Sequence, residues 1–450
     1  MRNNTIKNGA DSLPSGWSLT RLGDLVSLRG GLSYKARYIT ASGPALVTMG
    51  CVSASEKFNV AGLKHYTGPY GKVHTLNVGD IVIATRDVTQ NRVILGSPAL
   101  VPSSISDDVI IAATNLYMIS NRSKTSNDFI YWVLRSPAYR DHIIASAKGT
   151  TVLMLTKDAV ENYTFPLPPL PEQRAVAAIL GAIENKIELS RKMSATLEAI
   201  AGTVFKSWFV DFEPVRAKTE EHKQPLAHEI TALFPATLET SPHGDIPAGW
   251  KMLPISEVVS LNPPTSLAGV PEAPYLDMAN VPTRGHAVRS VIARRVSSGS
   301  RFQLGDTLVA RITPCLENGK TAFVDFLQPG EVGWGSTEFI VIRPIEPLPK
   351  EYGYLLARSE PFRTFAINKM TGSSGRQRVP TDALSAFFVA QPTALVAKAF
   401  SSIVQPLFKR MSITSREART LSSIRDVLLP KLISGKLRAA DAERILEKLA

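Results

Sequence analysis

The chain is written twice. Tyr131-Trp-Val-Leu-Arg-Ser-Pro-Ala-Tyr-Arg140 returns as Tyr354-Leu-Leu-Ala-Arg-Ser-Glu-Pro-Phe-Arg363. Tyr131 and Tyr354, Arg135 and Arg358, Ser136 and Ser359, Arg140 and Arg363, Ile144 and Ile367, and Gly149 and Gly372 are identical pairs, each 223 residues apart. Half of the 450-residue length is 225, so the repeat accounts for the whole chain. Solenoid units are far shorter, roughly 20–50 residues. A period this long predicts two homologous domains on one chain, and therefore two similar sites at a fixed separation.

Further echoes carry the repeat along the sequence at slightly different offsets, as loop insertions would cause. Leu13-Pro-Ser-Gly-Trp17 returns as Ile246-Pro-Ala-Gly-Trp250, and Val78-Gly-Asp80 as Leu304-Gly-Asp306. Ala84 is matched by Ala310, Asp158 by Asp382, and Thr196-Leu197-x-x-Ile200 by Thr420-Leu421-x-x-Ile424. The order is globular unit, long helix, globular unit, long helix.

After Phe165-Pro-Leu-Pro-Pro-Leu-Pro171 there is no further proline until Pro214, and apolar residues recur at Val176, Leu180, Ile183, Ile187, Leu197, Ile200 and Val204. Spacings of three and four are those of a helix with a coiled-coil seam. About 38 residues of helix span roughly 57 Å. Ile403, Leu407, Met411, Thr414, Ala418, Leu421, Ile424 and Leu428 form a second stripe, ending near Pro430 and Gly435. A long helix with one narrow apolar stripe needs a partner to bury it. The two helices are related by the repeat, so each is the economical partner for the other, packed antiparallel; packing of each on its own domain is the alternative. Trp208 and Phe209 close the first helix, where they would hold a partner subunit or the helix pair itself.

The fold class expected is α+β: two homologous mixed domains separated by two long helices that form an intramolecular antiparallel coiled coil with pseudo-two-fold symmetry. The expected boundaries are 1–170 for the first domain, 171–213 for the central helix, 214–245 for a linker, 246–392 for the second domain and 393–450 for the C-terminal helix. Ile81-Val-Ile-Ala84, Val109-Ile-Ile-Ala-Ala113, Leu308-Val-Ala310 and Phe339-Ile-Val-Ile342 read as buried strands.

Lysine and arginine outnumber aspartate and glutamate by 12. The excess is spread along the chain, at Arg86 to Arg92, His286 to Arg301 and Arg376 to Arg378, which suits a protein that follows a phosphate backbone over a long footprint. A merely soluble basic surface has the same composition. No apolar run is long enough to span a bilayer, and the start lacks the apolar stretch of a secretory signal. Cys51 and Cys315 offer neither a disulfide framework nor metal-ligand spacing; both are expected as buried thiols in a reducing cytoplasm.

Catalytic motifs fail on inspection. Asn318-Gly-Lys-Thr321 ends like a phosphate-binding loop, but Pro314 stands where the first glycine is needed and supplies no N–H. Asn262-Pro-Pro-Thr265 is similar to the Asn-Pro-Pro-aromatic motif of adenine methyltransferases, but Thr265 cannot stack on a flipped base. The seven histidines show no zinc spacing. No metal site is expected, and no catalytic constellation is legible.

Phe165-Pro-Leu-Pro-Pro-Leu-Pro-Glu-Gln173 entering a long helix, followed by Thr196-Leu-Glu-Ala-Ile200 and Phe205-Lys-Ser-Trp-Phe-Val-Asp-Phe-Glu-Pro-Val215, resembles the central conserved region of type I restriction-modification specificity subunits. Ala310-Arg-Ile-Thr-Pro-Cys-Leu-Glu-Asn-Gly-Lys320, Gly372-Ser-Ser-Gly375 and Leu428-Leu-Pro-Lys-Leu-Ile-Ser-Gly-Lys-Leu437 extend the resemblance through the second half. It implies two target-recognition domains, each reading half of a bipartite sequence in double-stranded DNA, with the helices as spacer. It also implies two methyltransferase subunits that bind S-adenosylmethionine, and nuclease/translocase subunits that use ATP and Mg. This chain would then hold no cofactor and catalyse nothing, in the cytoplasm of a prokaryote. A stand-alone methyltransferase or nuclease with an unrecognised site, and a sequence-independent DNA-binding scaffold, are the alternatives.

Candidate DNA contacts are Arg376, Gln377 and Arg378 in a loop opened by Gly372, Ser373 and Ser374; Arg311 and Lys320; and, in the first half, Arg86, Gln90, Asn91, Arg92, Gly149, Thr150 and Thr151. Arginine and glutamine donors suit guanine, adenine and phosphate; ordinary loop charges and tight-turn glycines are the plainer reading. Trp17 and Trp250 are expected as core anchors. Gly149-Thr-Thr-Val-Leu-Met-Leu155 lacks the second glycine and the arginines of its counterpart, so the two domains are expected to read different half-sites.

Overall fold

In a computed structural model of the chain, residues 13–87, 93–147, 153–219, 228–267 and 269–448 are described. They divide into two compact units, residues 1–188 with 419–450, and residues 189–418.

In the first unit a four-stranded antiparallel sheet runs in the order Val26–Gly30, Leu116–Asn121, Ile81–Ala84, Pro98–Leu100. All four residues of Ile81–Ala84 are buried, as the unbroken apolar run predicts. A second sheet has the order Lys64–Tyr66, Ile39–Val47, Ile110–Ala112, Thr75–Leu76, and its central pair is parallel. Ser18–Arg21 pairs with Thr164–Leu167, joining the start of the domain to its end.

The second unit repeats this plan strand for strand. Its first sheet runs Val259–Leu261, Phe339–Pro344, Thr307–Ala310, Thr321–Phe323. Its second runs Ile292–Arg295, Glu272–Leu276, Val332–Gly335, Ser300–Gln303, again with a parallel central pair. Lys251–Pro254 pairs with Phe388–Gln391.

The residues identical between the halves hold this frame. Ser136 sits between the helices Asn127–Arg135 and Pro137–Ser146; its hydroxyl donates to the Val133 carbonyl and accepts from the Tyr139 amide. Ser359 donates likewise to Leu356. Arg140 donates to the Leu95 carbonyl at 3.0 Å, and Arg363 to Glu317 at 3.2 Å. Arg135 holds the carbonyls of Ser53 and Glu56, while Arg358 holds those of Thr283, Gly285, Gly319 and Thr321.

The long helices are Leu170–Phe209 and Ala394–Ile433, each of 40 residues, so equivalent positions differ by 224. The first begins one residue before the expected boundary at 171, with Pro171 in the first turn, where its missing N–H costs nothing. The two pair antiparallel: Glu184 meets Arg425 in the first unit, and Phe209 meets Phe400 in the second, with ring centroids 4.8 Å apart.

Ile183, Ile187, Trp208, Phe209 and Leu428 are buried, as expected of the helix seam. Elsewhere the seam lies one residue further on than the apolar stripe suggests. Ile200 is exposed and Ala201 is buried; Val204, Ile403 and Leu407 are half-buried while Phe205, Val404 and Phe408 fill the core. Leu197, Leu421 and Ile424 are half-buried. A 3.6-residue turn drifts against a strict heptad, so a stripe traced by size alone slips to the flank. Trp17 and Trp250 are buried, the latter among Phe209, Phe212 and Phe234.

Candidate nucleic-acid interface

The Thr307–Ala310 strand passes into Arg311, which sets the geometry of the second unit's candidate site. The Arg311 amide donates to the Glu338 carbonyl at 2.9 Å, and its own carbonyl accepts from the Val379 amide at 2.9 Å. Thr313 N–H donates to Gln377, and Ile312 bridges to Arg378. The loop far away in sequence is thereby stitched to the strand end. Thr371 and Arg378 exchange amide–carbonyl bonds at 2.9 Å in both directions, which makes 371–378 a small hairpin. Gly372 has φ +122° and Gly375 φ +79°, backbone that L side chains rarely adopt.

Within this hairpin the candidates divide. Arg378 grips both oxygens of Glu338 at 2.7–2.9 Å, and that carboxylate raises the guanidinium pKa above its ordinary value. Arg376, Ser373 and Ser374 are exposed, and Gln377 is half-buried. Arg376 is positioned by its amide, which donates to the Ser373 carbonyl at 3.0 Å. Lys320 adjoins the strand through its carbonyl, which accepts from Ala310, but its ammonium donates to the Met278 carbonyl at 2.7 Å. Arg311 is half-buried, and its Nε has no acceptor among the described residues. Arg311, Lys320 and the Gly372–Arg378 loop are thus brought together, with Arg376 the freest donor and Arg378 and Lys320 committed to protein acceptors.

The first unit builds the same corner. Arg86–Asp87 pairs with Leu153–Met154, and the Leu155 amide donates to the Thr85 carbonyl at 2.9 Å. Arg86 is exposed; buried Asp87 accepts from the Ile94 amide at 2.7 Å. Gln90, Asn91, Arg92, Gly149, Thr150 and Thr151 lie outside the described residues.

The arrangement presents donors, which match phosphate oxygens and the acceptor edge of guanine. No cluster of three His, Cys, Asp or Glu among the described residues is placed to hold a metal, and none of the described helices is long and apolar enough to cross a membrane. Cys51 is buried, which pushes its thiol up to about 11; Cys315 is half-buried. Asn262 has φ +50°, accepts from the Val341 amide and donates to Thr381, a structural use of the Asn-Pro-Pro segment.

Sequence reasoning missed Glu338 and the link to the long helix. The Tyr354 hydroxyl donates to Glu198 at 2.6 Å and accepts from Arg358 at 3.0 Å. Arg358 reaches from there to the carbonyls that flank the Lys320 turn. The identity of Arg135 with Arg358 was the available signal.

Residues 14–199 match the family described as the type I restriction modification DNA specificity domain. The chain is similar to type I specificity subunits. It is 22% identical over 333 residues to the type I restriction enzyme MjaIX specificity subunit of Methanocaldococcus jannaschii, covering 70% of each chain. It is 21% identical over 378 residues to the HindI specificity subunit of Haemophilus influenzae, covering 74% of this chain and 82% of that one. The crystal structure of a type I restriction-modification S subunit from M. genitalium has the same fold, with TM-score 0.55 and 14% identity over 94% of this chain and 97% of that one. This chain joins two sheet-rich domains to paired long helices.

Proposed function

We propose that this chain is the non-catalytic specificity subunit of a type I restriction-modification complex and that it binds a bipartite, asymmetric sequence in double-stranded DNA. One observation carries the reading. The two units repeat one fold strand for strand, yet the segments that correspond in the repeat differ in sequence: Gly372-Ser-Ser-Gly-Arg-Gln-Arg378 in one, Gly149-Thr-Thr-Val-Leu-Met-Leu155 in the other. A shared frame with divergent loops suits two readers of different half-sites. The paired helices serve as the spacer that sets the unread gap. Arg376, Gln377 and Arg86 contact DNA, with hydroxyls and amides of the Gly372–Ser374 turn on phosphate.

Catalysis belongs to partners: two methyltransferase subunits that bind S-adenosylmethionine and methylate adenine, and nuclease/translocase subunits that use ATP and Mg. The assembly works in a prokaryotic cytoplasm. Reconstitution with the methyltransferase partner, followed by methylation-sensitive sequencing, should return one motif in two parts. Exchanging residues 14–165 for those of another specificity subunit should change one half only, and changing helix length should change the gap alone. Methylation with no bipartite motif overturns the reading.

A further inference from the structure

A group of cations in the second unit lies outside the Gly372–Arg378 hairpin. Arg284, Arg289, Arg294 and Arg295 are all exposed. Among the described residues, the guanidiniums of Arg284, Arg289 and Arg295 have no hydrogen-bond or ion-pair partner. Glu272 stands opposite Arg295 in the strand register without an ion pair between them. Arg294 alone is engaged, lying 4.6 Å over the Tyr275 ring and 5.9 Å from that of Trp334.

These residues are placed by rigid elements. Ile292–Arg295 is an edge strand with every residue exposed, paired on one side only, with Glu272–Leu276. That neighbour runs into the Met278–Asn280 turn, whose Met278 carbonyl accepts from Lys320 at 2.7 Å and whose Asn280 carbonyl accepts from the Arg289 amide at 3.0 Å. Arg358 holds the carbonyls on both sides of Arg284, those of Thr283 and Gly285, together with that of Gly319. The cations therefore continue outward from the Lys320 turn of the candidate reading site. The corresponding edge of the first unit, Lys64–Tyr66, carries Lys64 and a histidine that lies 3.5 Å from Asp107. The arginine track belongs to the second unit and not to the repeated frame.

Two adjacent arginines on an exposed edge also discourage pairing with another strand. That accounts for Arg294 and Arg295 but not for Arg284 and Arg289, which lie off the strand. We infer that Arg284, Arg289 and Arg295 form a phosphate clamp that anchors the second unit on the duplex backbone beyond the bases it reads. The inference rests on the DNA-reading function proposed above. It adds that the two half-sites are held unequally, the second by an arginine grip that the corresponding edge of the first does not carry. Unpaired guanidiniums on a rigid edge bind phosphate without base preference, and each contact releases counterions.

The test compares wild type with R284A/R289A/R295A, full chain in complex with its methyltransferase partner, by fluorescence anisotropy on duplexes carrying the methylation motif or a scrambled one. Arg294 is left in place because it packs on aromatic rings. At about 0.9 in slope per phosphate contact, the plot of log affinity against log salt should flatten by about 2.7. The loss of affinity between 50 and 200 mM salt then shrinks by about 40-fold. The ratio between motif and scrambled duplex should not change. A control, Lys64→Ala, should alter the slope by no more than about 0.9. An unchanged slope in a triple variant with wild-type thermal stability overturns the clamp, and so does a collapse of motif preference, which would make these residues base readers. A wild-type complex with no motif preference refutes the proposed function instead, while its salt slope still reports on the clamp.

Discussion

Glu184 and Arg425 form an ion pair where the helices meet in the first unit, with side chains only 3% and 10% exposed. Burial by itself would lower the Arg425 pKa, but the carboxylates of Glu184 and Asp426 outweigh it and hold it above its ordinary value. Removing one partner of a buried pair leaves an uncompensated charge, at about 3–5 kcal/mol. The two single variants should not be equal. Arg425 retains Asp426 at 2.8 Å after Glu184→Ala, and Asp426 is 63% exposed, so this loss belongs at the lower end, about 3 kcal/mol. Arg425→Ala strands a carboxylate that is nearly sealed from water, and belongs nearer about 5 kcal/mol.

The repeat supplies the third variant. Shifted by 224, Glu184 corresponds to Phe408 and Arg425 to Ala201, both fully buried in the apolar core of the second unit. E184F/R425A copies that solution into the first unit. Apolar replacements of buried pairs are often neutral or stabilising, and imperfect fit costs about 1–3 kcal/mol. The double variant should therefore be more stable than either single one. Native-state hydrogen exchange of residues 170–188 and 419–433, read by mass spectrometry, measures each opening energy, with residues 394–411 as an internal control. A cost below about 1 kcal/mol for Glu184→Ala, or a double variant worse than both singles, would refute the reasoning.

Glu172 accepts hydrogen bonds from Arg438 and the Ala439 amide; the Arg438 bond is the main cause that holds its carboxyl below the ordinary range. A depressed folded pKa means stabilisation that is complete above the unfolded value, about 4.3, and lost as pH falls through the folded one. Exchange protection of Ala439–Glu447 should decline on acidification below that point, and Glu172→Gln should remove the dependence. Arg358→Lys forfeits most of the carbonyl bonds around the Lys320 turn, so methylation sequencing should show relaxed selection in one half of the motif with the other half kept. Gly31→Ala would place a methyl carbon 2.1 Å from the Ala113 carbonyl oxygen and should lower the melting temperature sharply. Gly181→Ala meets nothing within 4 Å inside a helix and should stabilise by about 1 kcal/mol.

The frame was legible because duplication writes packing requirements twice. Tyr131 with Tyr354, Arg135 with Arg358 and Ser136 with Ser359 marked the helical corner of each domain, and unbroken apolar runs such as Ile81–Ala84 marked the buried strands. Helix existence and length followed from spacing, but the seam did not, because burial depends on where the partner helix lies. Ala201 is invisible to a search for large apolar residues, and a buried Glu184–Arg425 pair is invisible without its partner. The site was half legible. Arg311, Lys320, Arg376 and Arg378 were found as basic residues near turns, but which of them stays free depends on Glu338 and the Met278 carbonyl, 40 or more residues away in sequence from the Arg378 and Lys320 they hold.

This division between frame and surface explains why the strongest sequence signal is not the one proposed to read DNA. Every identical arginine in the repeat is consumed internally: Arg135 and Arg358 on loop carbonyls, Arg140 and Arg363 on the carbonyls of Leu95 and Glu317. A guanidinium that satisfies several loop carbonyls cannot be replaced without leaving them unpaired, so these positions resist change in both halves. The guanidiniums of Arg376, Arg284, Arg289 and Arg295 satisfy nothing among the described residues and are free to differ between the units. For a duplicated reader of an asymmetric target, the residues that read are therefore to be sought where the halves disagree and the side chain has no internal partner. Arg376 meets both conditions, and Arg378, with its carboxylate clasp, meets only the first.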